Sequence, residues 1–349
     1  DYILHEHLLA GLLQSFSVWM LLGMVIVSIA VLSYGADAMV EGVVHMARRT
    51  RLPEVVIGAT IVSLGTTSPE AFVSVMAAVL GNPGLALGNG VGSIIADTGL
   101  IFGTTCILTR VPVKRSILNR TGWWQVGSAT LLVAVAVVLL WTSDGPPQLG
   151  RVFGLVMLGL LVVYLFMTYR WALLEKNNAS IADPDHVLAD ISAFPIGRCW
   201  LMVIGGLLLV LLAARVLIPT ASAIAFKFHV PDDIIAATMV ALGTSLPELM
   251  TAITSVRKGH PEIAVGNVVG ADVLNCLFVI GAAATARPLA IPPNFFRFHF
   301  PAMLLILWSL RWFISRNDTH FTRKQGLWLL TVYVVYVGSQ FAFNIGPAD

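Results

Sequence analysis

The sequence predicts an all-α polytopic membrane protein. Ten transmembrane helices are expected to form two inverted five-helix repeats, with proline-broken helices at the midplane. Three observations carry that expectation. Hydrophobic residues make up 57% of the 349 residues, charged residues only 11%, and the mean hydropathy is +0.84, a balance foreign to soluble domains. The apolar residues gather into segments long enough to cross a hydrocarbon core about 30 Å thick. A block of the first half also returns in the second, 178 residues later.

The apolar segments run, in order, over residues 16–46, 54–80, 84–108, 122–141, 151–170, 198–226, 231–257, 261–283, 296–314 and 325–343. Their joins carry turn and breaker signals such as Asn82-Pro83-Gly84, Gly145-Pro146-Pro147 and Pro292-Pro293. The sizeable polar stretch, 171–197, is too short for a folded domain and reads as a cytoplasmic linker. It divides an N-terminal half (1–170, helices 1–5) from a C-terminal half (198–349, helices 6–10). Residues 4–14 are mildly amphipathic and expected at the membrane surface. The chain starts at Asp1 without Met, so a cleaved leader is compatible with it.

Lys and Arg concentrate after helices 1, 3, 5, 7 and 9, as at Arg48-Arg49, Arg110, Arg257-Lys258 and Arg323-Lys324. Arg151, Lys227, Arg287 and Arg297 face the other side. The positive-inside rule makes the first side cytoplasmic and puts both termini outside, in a prokaryotic-type inner or plasma membrane. Five helices per half is odd, so the two copies enter the membrane in opposite directions. Inverted repeats of this kind are the frame of alternating-access transporters. The net charge of +2 carries no nucleic-acid signature. Cys106, Cys199 and Cys276 sit in or beside apolar segments and suggest neither a disulfide framework nor a zinc site.

The repeats span 58–103 and 236–281. The first reads GATIVSLGTTSPE and then GNGVGSIIAD; the second reads AATMVALGTSLPE and then GNVVGADVLN. Proline lacks an N–H and its ring crowds the preceding turn, so Pro69 should free the carbonyl of Gly65, and Pro247 that of Gly243. Beside these breaks stand Thr66, Thr67 and Glu70, matched by Thr244, Ser245 and Glu248. Asn89, Ser93 and Asp97 recur at four-residue steps and share one helix face. Carbonyls, hydroxyls, amide oxygens and carboxylates are hard ligands that suit calcium or sodium, not zinc or copper. A Thr or Ser in such a helix often only bonds back to the preceding turn. The glutamates are harder to explain as structural, because an ionised carboxylate at the bilayer centre costs about 2.5–3.5 kcal/mol or more.

GTTSPE and GTSLPE, each followed by GNxxG and an acid or amide, resemble the alpha-repeats of the cation/calcium exchanger superfamily, and most of all its sodium/calcium exchanger branch. The proton/calcium branch typically has GNxxE at this point. The resemblance implies Glu70 and Glu248 as calcium ligands and hydroxyls of Thr66, Thr67, Thr244, Ser245 and Ser93 for sodium. Backbone carbonyls near Ser63 and Ala241 and the side chains of Asp97 and Asn275 complete the implied set, with the carbonyl of Ala271 standing in where the family usually has a hydroxyl. Asp272 is an extra acid turned about 100° from the Ala271/Asn275 face. It is a further ligand or a residue bonded to a neighbouring helix, and the second reading is preferred.

The resulting expectation is a secondary antiporter that exchanges sodium for calcium by alternating access, not an enzyme. It needs no cofactor and has calcium, sodium and the bilayer as partners; a monomer is compatible with the sequence. The alternative is a proton- or potassium-coupled exchanger of calcium or another divalent cation. An intramembrane hydrolase or a passive channel ranks below both. Two finer expectations follow. Calcium balances two charges, so Asp97, the third acid, should carry a proton while calcium is bound. Asp37 and Arg215, equivalent by the repeat, should pair where helices one and six pack.

Overall fold

A computed structural model describes residues 13, 15–50, 52–113, 115–143, 145–182, 194–227, 245–317 and 319–342. Its first half comprises α1 (Val18–Thr50), α2 (Glu54–Val79), α3 (Pro83–Leu108), α4 (Arg115–Thr142) and α5 (Arg151–Ala182). The second comprises α6 (Ile196–Lys227), α7 (Leu246–Arg257), α8 (Pro261–Ala286), α9 (Phe295–Arg316) and α10 (Arg323–Ala342). Two-residue strands, β1 (Gln148–Leu149) and β2 (Leu289–Ala290), pair antiparallel, with Leu149 and Leu289 buried in the main core. Among the described residues, 8 helices are long and apolar enough to cross a membrane. Of the other expected segments, 325–343 corresponds to α10, and 231–257 is described from Ser245 onward. α5 continues to Ala182, into the stretch expected as a linker, and residues 183–193 of that stretch lie outside the described residues.

Burial grades the helices. In α8, 94% of the central span is buried, against 22% in α1 and α5. The helix carrying the second GNxxG block is therefore central. α1 and α5 turn side chains such as Trp19, Ile26, Val152 and Phe166 outward, as lipid-facing helices do.

The repeat is visible in the backbone. In α3 a π-helical turn occupies Asp97–Phe102, and in α8 one occupies Asn275–Ile280, at the same offset. The turns entering these helices hold Gly81 and Gly259 at φ of 87° and 81°, a left-handed geometry that glycine adopts freely. A further π-turn, Gly58–Val62, lies in α2 ahead of the GTTSPE block. It presses on α8 where side chains are missing: a Cβ on Gly266 would stand 2.2 Å from the Val55 carbonyl oxygen, and one on Gly270 2.6 Å from that of Ala59. The Tyr164 hydroxyl of α5 donates to that Ala59 carbonyl at 3.3 Å.

The proline break is gentler than expected. The α-helix Ser63–Val79 runs straight through Pro69. One missing N–H leaves the neighbouring bonds intact, and the irregularity in this helix lies about two to three turns upstream, in the π-turn Gly58–Val62. Pro247 sits in the first turn of α7, where its missing N–H is harmless.

The pairing of Asp37 with Arg215 is not found. α1 and α6 do pack closely, with Gly35 against Gly206 and Leu32, Val210 and Ala213 in one cluster. The helices run antiparallel, so the local two-fold passes near Leu32 and Val210. Equivalent residues lie on opposite sides of it, which separates Asp37 from Arg215 by about 12 Å along the pair. Asp37 instead has Lys258 at 4.0 Å; the same ammonium reaches Glu41 at 3.4 Å.

Candidate functional site: a buried oxygen cluster between the repeats

Ser63, Thr66, Thr67 and Glu70 of α2 are buried, as are Ser93 and Asp97 of α3, Ser245 and Glu248 at the start of α7, and Ala271 and Asn275 of α8. Thr244 and Ala241 lie outside the described residues. The four acidic or amide positions come together across the repeats: Glu70 lies within electrostatic reach of Glu248 and Asp97, and Asp97 within reach of Glu248. The Asn275 amide donates to Asp97 Oδ2 at 3.4 Å, so equivalent residues meet at the two-fold. Here, unlike at Asp37 and Arg215, the symmetry axis passes through the pair itself.

Two asparagines position the glutamate helix. Asn89 donates from Nδ2 to the Glu70 carbonyl at 3.1 Å and to Ser74 Oγ at 2.9 Å, tying α3 to α2. Its equivalent, Asn267, accepts a 3.4 Å bond from Thr66 Oγ1. Thr66 also bonds back to the Ser63 carbonyl at 3.3 Å, and Ser63 to that of Thr60 at 3.3 Å. Those two hydroxyls follow the local pattern common in membrane helices.

The remaining oxygens have no such partner. Thr67 Oγ1, both carboxylate oxygens of Glu70, Asp97 Oδ1, Ser245 Oγ, Glu248 Oε2 and Asn275 Oδ1 are all buried without a hydrogen bond. A buried polar atom left unsatisfied costs about 1–3 kcal/mol, and more when charged. These seven, from the set expected from sequence, are hard acceptors or can act as one; Gln125 Oε1, Thr130 Oγ1, Thr168 Oγ1, Asp272 Oδ1 and Asn294 Oδ1 are likewise unpaired outside that set. That arrangement suits a cation. Among the described residues, no three Asp, Glu, His or Cys side chains form a metal-holding group by themselves. The ligand set is necessarily mixed, with hydroxyls and amides beside the carboxylates.

Asp272 lies within electrostatic reach of Asp97, and its Oδ1 has no hydrogen bond, but its other oxygen is committed to neighbouring helices. Its Oδ2 accepts bonds from Thr98 Oγ1 of α3 and from Gln125 Nε2 of α4, the latter at 2.5 Å. It joins three helices, as the preferred sequence reading held. Gln125 was missed in the sequence, although a lone amide inside an apolar span signals a buried polar contact.

A family model described as sodium/calcium exchanger protein matches residues 20–170 and 198–342. The inner membrane protein YrbG of Escherichia coli is 30% identical over 317 residues, covering 90% of this chain and 94% of that protein. The sodium/calcium exchanger MaX1 of Methanosarcina acetivorans is 27% identical, covering 87% and 93%. The solved structure of the sodium-calcium exchanger NCX_Mj, soaked with sodium and strontium ions, superposes with a TM-score of 0.76 at 25% identity, covering 93% of this chain and 99% of that one.

Proposed function

This chain belongs to the sodium/calcium exchanger protein family, and from that premise we propose how its buried cluster works as a sodium/calcium antiporter. The protein is an integral membrane transporter. Glu70 and Glu248 supply the two negative charges that calcium requires, one from each repeat. Thr67, Ser245, Asn275 and the carbonyls near Ser63, Ala241 and Ala271 complete the shell of about six to eight oxygens that calcium prefers. Thr66, Thr244, Ser93 and Asp97 belong to the sodium-loaded arrangement, in which sodium ions divide the same glutamates. Occupation by one cation excludes the other, and that exclusion couples the two fluxes.

The orphaned oxygens contributed by both repeats carry this reading. α1 and α6 pack together in clusters outside the main core, one of which also takes in Ile57 and Val62 of α2 and Ile263 of α8, and this supports them as the element that moves to expose the site alternately. The halves 1–170 and 198–349 act as the inverted units, with the Arg- and Lys-rich side in the cytoplasm, both termini outside, and each chain sufficient alone. The test is calcium-45 uptake into proteoliposomes with sodium, potassium and proton gradients imposed separately. An outward sodium gradient should drive uptake severalfold above the other two; uptake indifferent to sodium would sink the reading.

A further inference from the structure

The turns that close α2 and α7 share a backbone and differ in side-chain chemistry. Lys258, Gly259 and His260 lead from α7 into α8; Leu80, Gly81 and Asn82, 178 residues earlier, lead from α2 into α3. In the later turn Lys258 N donates to the Thr254 carbonyl at 2.9 Å, Gly259 N to that of Val256 at 3.1 Å, and His260 N to that of Ser255 at 2.8 Å. The equivalent bonds of the earlier turn measure 2.9, 3.0 and 2.8 Å. Because the repeats are inverted, the two turns lie on opposite faces of the membrane.

Asn82 turns back on its own helix, where its Oδ1 accepts from Leu85 N at 3.0 Å, and Leu80 carries no charge. The α7–α8 turn reaches out to two other helices. His260 Nδ1 lies 3.0 Å from Glu54 Oε2, at the start of α2. The Lys258 ammonium donates to the Asp37 carbonyl at 3.1 Å and to Glu41 Oε2 at 3.4 Å, with Asp37 Oδ1 at 4.0 Å, all on α1. The positions of α6 equivalent to Asp37 and Glu41 hold Arg215 and Pro219, so α6 offers the earlier turn no such pair of acids.

We infer that the α7–α8 turn is a one-sided latch: seated on α2 through His260, it holds α1 through Lys258 and biases the transporter toward the end state seen here. This rests on the reading of α1 as a moving element. Inverted repeats exchange roles between the two end states, so equivalent contacts on both faces would favour neither. An ionic contact on one face alone tips that balance. Lys258, Asp37 and Glu41 stay partly open to solvent, where ion pairs are weak. The bias is therefore severalfold and not absolute, and the latch can open in every cycle.

The test measures the distance between spin labels on Tyr34→Cys of α1 and Trp141→Cys of α4, both exposed positions, with the whole chain in nanodiscs at saturating sodium. Cys106, Cys199 and Cys276 are buried and should take no label. Two distances should appear, with the one that matches this structure in the majority. Lys258→Gln should lower the ratio of the two about fivefold and Glu41→Gln about twofold, whereas Lys258→Arg should keep it. Raising the ionic strength with choline chloride should lower the ratio in the parent pair and leave that of Lys258→Gln unchanged, since screening acts on the ionic contact alone. A ratio unmoved in Lys258→Gln, or one lowered as far in Lys258→Arg, would overturn the latch. A single distance in every variant would overturn it too, by showing α1 immobile. No flux enters the measurement, so its outcome is separate from that of sodium/calcium coupling.

Discussion

α3 and α8 share one backbone and differ in where they keep their charge. Each enters through a left-handed glycine and carries a π-turn beginning at Asp97 or Asn275. Each supplies one buried aspartate, but at different registers. α3 places its acid at Asp97, facing the glutamates; α8 places its acid at Asp272, one turn earlier and facing Thr98 and Gln125. Ser93 in α3 is answered by Ala271 in α8. In the proposed antiporter the shared backbone would suit a site that opens to both sides, and the unequal side chains would let one half tie the bundle while the other adjusts the ion site.

The largest effect should come from the residues that do not differ. Glu70→Gln and Glu248→Gln should each reduce calcium flux about a hundredfold or more, with the protein still extractable and folded. Near wild-type flux in either variant would break the equivalence of the halves. Next comes Asp272→Leu, which strands the Thr98 hydroxyl and the Gln125 amide. It should cost about 1–3 kcal/mol of stability, read as a lower melting temperature, while calcium affinity stays within about threefold. A tenfold loss of affinity with unchanged stability would instead make Asp272 a ligand. The subtlest effect belongs to Asp97→Asn. With Glu70 and Glu248 already balancing calcium, an amide at 97 should preserve calcium binding. A protonated Asp97 does not help to hold sodium, so acid should slow exchange in the wild type, and Asp97→Asn should flatten that pH profile and alter its sodium dependence. Superimposable flux–pH curves would reduce Asp97 to a helix tie.

These contrasts were partly legible in the sequence. The glutamates and their flanking hydroxyls stood out because lipid makes polar residues expensive, so a repeated set of them announces its own importance. Asp272 was legible for the same reason, through its turn away from the Ala271/Asn275 face. The π-turns were not, since an extra residue in a helical turn leaves no mark in composition or period. Pro69 misled because one missing N–H suggests a break that the surrounding bonds do not permit. The misplacement of Asp37 against Arg215 has a geometric cause. Sequence symmetry gives equivalent positions, but only residues on the axis, such as Asp97 and Asn275, touch their equivalents.

The central claim is that one cluster, built by both repeats, holds either calcium or sodium. Equilibrium calcium-45 binding to the purified protein, at fixed pH and rising sodium, tests it most directly. The account predicts one calcium per chain, displaced completely and with a Hill coefficient above one as several sodium ions take over its ligands, and no such binding in Glu248→Gln. Calcium that stays bound at saturating sodium would contradict it.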